Sequence, residues 1–206
     1  MFRFLAITNR FLCKGGPLIQ AVKEAVDGGV EAVLLKEQAL NDHLLYTVAT
    51  QFRRILEPRG VPLLIAHRVD VALGVGAQGV QLGASSLPVK VARSLLGPEA
   101  IIGFSAHSIE EALRVQDEGV DYVTLSPIFP TRSKPLARPL GLDYLQEAVA
   151  EVQVPVLAAG GVDPSNVEEV MKRNAYGVAV MSALWKADSK EVAARIKQKM
   201  RESIES

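Results

Sequence analysis

The feature that most constrains this chain is an alternation: short β-branched or aliphatic runs and amphipathic helical stretches succeed one another eight times. The expected strands are Phe4–Thr8, Ala32–Lys36, Pro62–Ala66, Gly79–Leu82, Ala100–Phe104, Tyr122–Leu125, Val154–Ala158 and Gly177–Met181. Between and after them, the helical period predicts helices over Pro17–Asp27, Asn41–Leu56, Val69–Val75, Val89–Leu95, Ile109–Asp117, Leu142–Val152, Pro164–Lys172 and Lys190–Ile204. Several strands are apolar on both faces, as a parallel sheet covered by helices requires.

A weak repeat marks the junctions from helix to strand. Gly29-Val30-Glu31-Ala32-Val33, Gly76-Ala77-Gln78-Gly79-Val80, Gly119-Val120-Asp121-Tyr122-Val123 and Asn174-Ala175-Tyr176-Gly177-Val178 lie 47, 43 and 55 residues apart, two βα units each time. Each opens on Gly or Asn, the types that accept the left-handed conformation ending a helix. Eight units of about 25 residues fit an α/β protein of the (β/α)8 TIM-barrel type, with a doubly wound open sheet as the alternative. The barrel is preferred because no Gly-x-Gly-x-x-Gly turn follows the first strand. Ser108-x-x-Glu111 reads as a capping box, and Asp163-Pro164 as an N-cap followed by proline at the first helical position.

The 206 residues are expected to form one domain, 1–206. With 23 basic against 23 acidic residues, no general attraction to nucleic acid or an anionic membrane is expected. No apolar run approaches the ~20 residues that span a bilayer. The single cysteine, Cys13, excludes an intrachain disulfide and suits a reducing compartment. The first ten residues are apolar but broken by Arg3 and Arg10, without a signal-peptide layout, so a cytoplasmic location is expected.

In such a barrel the chemistry lies at the carboxyl ends of the strands. This makes the candidates Lys36, Glu37 and Gln38; His67 and Arg68; Ser85 and Ser86; Ser105 and His107; Gly160 and Gly161; Met181 and Ser182. The richest segment follows strand six, Ser126-Pro127-Ile128-Phe129-Pro130-Thr131-Arg132-Ser133-Lys134. Its prolines stop any ladder. Its hydroxyls, amides, Arg and Lys then suit a phosphate. Gly160 and Gly161 let the backbone approach the same anion, near where strands seven and eight of such barrels commonly hold one. His67, and after it His107, are the acid/base candidates, since an unperturbed imidazole titrates near ~6.5. Lys36 and Glu37 read as a charge pair. Arg68 suits a substrate carboxylate bidentately, or a bridge to Asp70. His43 reads as a surface residue, and Trp185 and Cys13 as packing or surface residues.

Nearly the whole chain resembles thiamine phosphate synthase and its TenI-type relatives. The resemblance is clearest in Gly103-Phe104-Ser105-Ala106-His107, Gly119 to Val123, Ser126 to Lys134, Ala159-Gly160-Gly161 and Gly177-Val178-Ala179-Val180-Met181-Ser182. It implies a (β/α)8 barrel that binds a hydroxyethyl-thiazole phosphate, held by Thr131, Ser133, Gly161, Met181 and Ser182, with Lys134 facing the second substrate. The synthase pattern departs at three places. Gln-x-Arg-Glu-Lys becomes Leu34-Leu35-Lys36-Glu37-Gln38, Asn-Asp-Asp becomes Ala66-His67-Arg68, and a later Asp becomes Ser86. His67 and Ser86 thus replace the two carboxylates that hold Mg²⁺ in the synthase. Arg68-Val69-Asp70 and Val80-Gln81-Leu82 match the TenI type, whose tautomerase uses a histidine just after strand six where this chain has Pro127. The resemblance therefore implies a metal-free, TenI-type thiazole tautomerase acting on a small thiazole phosphate. It leaves open a thiamine phosphate synthase with an altered Mg²⁺ and diphosphate site, a non-catalytic thiazole or thiamine phosphate binder, and homo-oligomerisation. No cofactor is expected, Mg²⁺ entering only on the synthase reading.

Overall fold

The computed structural model describes residues 1–13, 17–133, 135–186 and 188–205. Eight parallel strands close into a barrel in sequence order: β1 (Phe4–Ile7), β2 (Ala32–Leu35), β3 (Leu63–Ala66), β4 (Gly79–Leu82), β5 (Ile101–Ala106), β6 (Tyr122–Leu125), β7 (Val156–Ala159) and β8 (Gly177–Val180). Closure is made by β8 on β1, with Phe4 opposite Val178 and Ala6 opposite Val180. The helices are α1 (Leu18–Asp27), α2 (Asp42–Leu56), α3 (Val69–Val75), α4 (Val89–Leu96), α5 (Ile109–Asp117), α6 (Leu142–Glu151), α7 (Val167–Met171), α8 (Ser182–Trp185) and α9 (Ser189–Glu205).

Strand residues alternate between two cores, which is why both faces are apolar. One set (Phe4, Ala6, Val33, Leu35, Leu63, Ile65, Val80, Leu82) packs outward under the helices. The other (Leu5, Ala32, Leu34, Leu64, Tyr122, Leu157, Ala179) fills the barrel with Phe2, whose ring meets that of Tyr122 edge-on at 5.1 Å. All four repeat positions have positive φ: 108° at Gly29, 65° at Gly76, 95° at Gly119 and 60° at Asn174. The left-handed residue that ends each of these helices also turns the chain into the next strand.

Three local expectations change. The seventh helix begins at Val167, because Asn166 takes over the cap position while the Asp163 carboxylate accepts from Ser165 N at 2.7 Å and closes a separate turn. β5 runs on through Ser105 and Ala106, so Ser105 is a strand residue rather than a loop residue. A four-residue helix, α8, follows β8 and brings Trp185 inward, where its Nε1 donates to the Ile7 carbonyl at 2.7 Å. At α5, Ser108 Oγ accepts from Glu111 N at 3.1 Å, while the Glu111 carboxylate accepts from His107 N at 2.8 Å, one residue earlier than a standard capping box. No helix among the described residues is long and apolar enough to cross a membrane.

Candidate active site

The carboxyl ends of the strands open onto a cavity of about 380 Å³, the size of a small-ligand site. Its β6 side is Thr124, Ser126, Pro127, Pro130, Thr131, Arg132 and Ser133. Its β7 and β8 sides are Gly160, Gly161, Val162 and Asp163, then Met181, Ser182 and Lys186. Ser105, His107, Ile7 and Lys36 also line it. Among these described lining residues, three cations (Lys36, Arg132, Lys186) face one carboxylate, Asp163, which Ser165 already engages. The balance favours an anion.

The loop after β6 is bound to the β7 turn by backbone. Ile128 N donates to the Ala159 carbonyl at 2.9 Å and Phe129 N to the Gly160 carbonyl at 3.0 Å. The two turns therefore form one wall. Glycine is required at both β7 positions. A Cβ on Gly160 would sit 2.7 Å from Pro127 Cα, and one on Gly161 would sit 2.7 Å from Phe129 Cβ and 2.8 Å from the Pro130 carbonyl oxygen. Both glycines also hold positive φ, 83° and 73°. Thr131 Oγ1 and Ser133 Oγ lie 3.0 Å apart on this wall. Two hydroxyls on one short turn make a ready pair of ligands for phosphate oxygens. Lys134 lies outside the described residues.

The opposite side divides. Lys36 stands in the mouth, reachable by solvent through the opening, and partial burial by the rim lowers its pKa. Glu37 does not pair with it. The strand's alternation sends Glu37 to the other side, where its carboxylate accepts from Arg10 N at 3.0 Å, and burial raises its pKa against the opposing bonds from Thr8 and Arg10. Glu37, Gln38, His67, Arg68 and Ser85 line a separate side pocket with Leu35 and Leu45. The Arg68 guanidinium is committed: Nε and Nη2 donate to the Asp70 carboxylate at 2.8 and 2.6 Å, and Nη1 donates to Asp42 at 2.6 Å. Those bonds raise its pKa. The expected carboxylate clamp is instead the bridge to Asp70, because α2 supplies a second acid within reach.

His67 adopts a positive φ of 64° at the end of β3 and places Nδ1 2.7 Å from Ser86 Oγ, which also accepts from Gly83 N at 2.9 Å. Desolvation, then the charge of Lys36, lowers the His67 pKa, so the ring is neutral at neutral pH. His107 lines the main mouth, with Nδ1 2.6 Å from the Ser126 carbonyl. A carbonyl only accepts, so Nδ1 carries a proton and donates it to that carbonyl. The mouth thus brings together Thr131, Ser133, Gly160, Gly161, Met181, Ser182, Ser105, His107 and Lys36, and leaves Glu37, Gln38, His67 and Arg68 beside it. Thr124, Lys186 and the buried Gln81 beneath the floor were not among the residues picked from the sequence.

Comparison with known proteins bears on this site. A family model described as thiamine monophosphate synthase (TMP-TENI) matches residues 4–184. The chain belongs to the thiamine monophosphate synthase/TenI family. Within it, a thiamine-phosphate synthase of Syntrophomonas wolfei is 42% identical over 190 residues, covering 92% of this chain and 91% of the relative. One from Albidiferax ferrireducens is 42% identical over 199 residues, covering 95% and 90%. A solved thiamine phosphate pyrophosphorylase from Pyrococcus furiosus superposes with a TM-score of 0.90 at 34% identity, covering 98% of this chain and 97% of that one. The family is one of thiamine biosynthesis, and its barrel is the one described above.

The residues at the positions where the resemblance to the synthase implies Mg²⁺ do not fit that ion. His67 and Ser86 offer an imidazole and a hydroxyl, already bonded to each other, to an ion that prefers oxygen ligands and usually carboxylates. The neighbouring carboxylate, Glu37, is held by Arg10 and Thr8. Among the described residues, no cluster of three or more His, Cys, Asp or Glu side chains could hold a metal ion.

Proposed function

We propose that this chain is a thiamine-phosphate synthase: it joins a hydroxyethyl-thiazole phosphate to a pyrimidinylmethyl diphosphate. The observation that carries this reading is one mouth with an anion-binding wall on β6–β8 and a lysine across from it. The names of relatives 42% identical over at least nine-tenths of this chain favour coupling over the tautomerase expected from the sequence. In the coupling, the carbon–oxygen bond to diphosphate breaks and its electron pair leaves with the diphosphate. The thiazole nitrogen then forms the new bond to the methylene carbon. The wall of Thr131, Ser133, Gly160, Gly161 and Ser182 holds the thiazole's phosphate and so fixes its ring. Lys36 supplies a positive charge to the departing diphosphate, the kind of fixed electrostatic help that lowers such a barrier.

The test is direct. Purified protein is given both substrates, with Mg²⁺ or with a chelator, and thiamine phosphate is followed by fluorescence after oxidation. Slow product formation is expected, with far less dependence on Mg²⁺ than a carboxylate-bearing site would show. No product under either condition would overturn the reading.

Lys36 makes a second expectation. A lysine with a lowered pKa is charged below that value and neutral above it, so anion binding is present at neutral pH and fades as pH rises through it. The decline begins below the ordinary lysine value of ~10.4. Calorimetric titration with inorganic diphosphate from pH 7 to pH 10 should show the fall in the native protein. Lys36→Met should bind about 10-fold to 100-fold more weakly at pH 7, the worth of one charge-assisted bond, and show a flatter profile. A native profile as flat as the variant's would remove Lys36 from the site.

One observation favours a tautomerase as the second reading. His107 brings an imidazole from β5 against the Ser126 carbonyl, at the end of β6 where the TenI-type enzyme has its histidine and this chain has Pro127. Conversion of a carboxylated thiazole phosphate by the native protein, lost in His107→Gln while both proteins bind it, would establish this reading.

A further inference from the structure

Lys36 differs from the other lysines in where it stands and in what it lacks. It follows β2 onto the mouth, across from the wall of Thr131, Ser133, Gly160 and Gly161. Its backbone is fixed there, Lys36 N donating to Thr8 Oγ1 at 3.0 Å, so the side chain leaves a set point on the rim. Among the described residues it has no carboxylate partner. Glu37 is turned away and held by Arg10 N and Thr8, and Asp163 is engaged by Ser165. Burial by the rim therefore acts unopposed and lowers the Lys36 pKa. Lys197 and Lys199, by contrast, are paired with Glu31 and Glu168.

Lys36 stands where the synthase pattern Gln-x-Arg-Glu-Lys has its arginine. Both residues supply a charge, but a guanidinium keeps its proton, whereas an ammonium can release one and leave a nucleophilic amine. A partly desolvated lysine with no acid beside it is the kind that adds to carbonyl carbons. The nitrogen lone pair bonds to that carbon, and the carbonyl π pair moves to oxygen. The carbon–oxygen bond then breaks and the oxygen leaves as water, while the nitrogen keeps one hydrogen and the positive charge. The sum is ammonium plus carbonyl giving iminium plus water, with no co-reactant. The wall opposite selects the carbonyl compound: a phosphate held there brings a short aldehyde or ketone across the mouth to the amine.

We infer that Lys36 is a covalent binding site, which forms a reversible imine with small phosphorylated aldehydes and ketones and so holds them in the mouth in competition with thiazole phosphate. This goes beyond the coupling reading, and none of its readouts uses the pyrimidine substrate.

Native protein is incubated at neutral pH with glycolaldehyde phosphate and cyanoborohydride, which reduces an imine to a stable amine, and peptide mass spectrometry locates the label. Lys36 should be labelled about tenfold faster than Lys186, the exposed lysine of the same mouth, and than the exposed Lys90. Inorganic phosphate should suppress the Lys36 label, and glycolaldehyde without its phosphate should lose most of the preference. A second measurement uses a matched pair, glycolaldehyde phosphate against 2-hydroxyethyl phosphate, in which the phosphate contribution cancels. The native protein should prefer the aldehyde by about tenfold. Lys36→Arg keeps the charge and removes the nucleophile, so its ratio should fall to about one. A general disturbance of the mouth would instead weaken both members and leave the ratio unchanged. Label spread evenly over exposed lysines, a Lys36 label indifferent to phosphate, a native ratio of one, or a folded Lys36→Arg protein that keeps the native ratio would each overturn this inference and leave the coupling reading standing. Failure to bind either phosphate would overturn it together with the anion wall.

Discussion

Gly161→Ala should abolish binding of thiazole phosphate, lowering affinity at least 100-fold, while leaving a folded barrel. The added Cβ would meet Phe129 Cβ at 2.7 Å and the Pro130 carbonyl oxygen at 2.8 Å. These are backbone and near-backbone atoms, so no side-chain rotation relieves the contact. The residue must also hold a φ of 73°, a conformation that costs a non-glycine residue about 1–3 kcal/mol. The least costly relief is for the loop after β6 to move off the β7 turn. That breaks the Phe129-to-Gly160 and Ile128-to-Ala159 bonds and carries Thr131 and Ser133 away from Gly161 and Ser182. The barrel should survive, because the interior and the other strand pairs do not depend on this turn. Calorimetry with the thiazole phosphate and a thermal melt separate the two effects: a modest drop in melting temperature with binding lost is expected. Native affinity in a folded variant would show that the β6 and β7 turns do not share one anion.

Much of this wall could be read from the chain, because its parts are local. Prolines and hydroxyls cluster within Ser126–Ser133, and the glycine pair stands alone after an apolar strand. The barrel was legible for a related reason: Gly29, Gly76, Gly119 and Asn174 mark helix ends by backbone need, whatever their neighbours. What escaped depends on pairing between distant residues. Arg68 meets Asp42 across 26 residues, and Glu37 bonds Arg10 across 27. Neither commitment shows in a strand-end tally. Ser105 looked like loop because it is polar, yet it is strand because it faces the mouth rather than a helix. The four residues of α8 are too few to show a helical period. Gln81, Tyr122 and Thr124, which hydrogen-bond through the Gln81 amide inside the barrel, each look unremarkable alone. The one local trace of their network was a glycine, Gly103, inside a strand, where glycine usually marks a close approach.

The second large effect is a gain. His67→Asp combined with Ser86→Asp should make coupling strongly Mg²⁺-dependent and raise its rate at least 100-fold in the presence of the ion. The two side chains already meet, with Nδ1 and Oγ 2.7 Å apart, so the paired carboxylates would share one site. Without a cation, like charges this close repel and one carboxyl stays protonated, so the metal-free variant should melt below the native protein. Mg²⁺ relieves that repulsion and should restore the melting temperature in a concentration-dependent way, a readout independent of catalysis. The effect has a sign in pH: it should appear as pH rises above the carboxyl pKa values and vanish in acid, where protonated groups release the ion. A bound divalent ion is worth several kcal/mol to a departing phosphate oxygen, which converts to 100-fold or more in rate. Since the native chain offers an imidazole and a hydroxyl there, its own melting temperature should hardly respond to Mg²⁺. If the doubly substituted protein gains neither thermal response nor rate, the weakness of this site toward Mg²⁺ lies elsewhere than at His67 and Ser86, and the explanation given for a slow, metal-tolerant coupling fails with it.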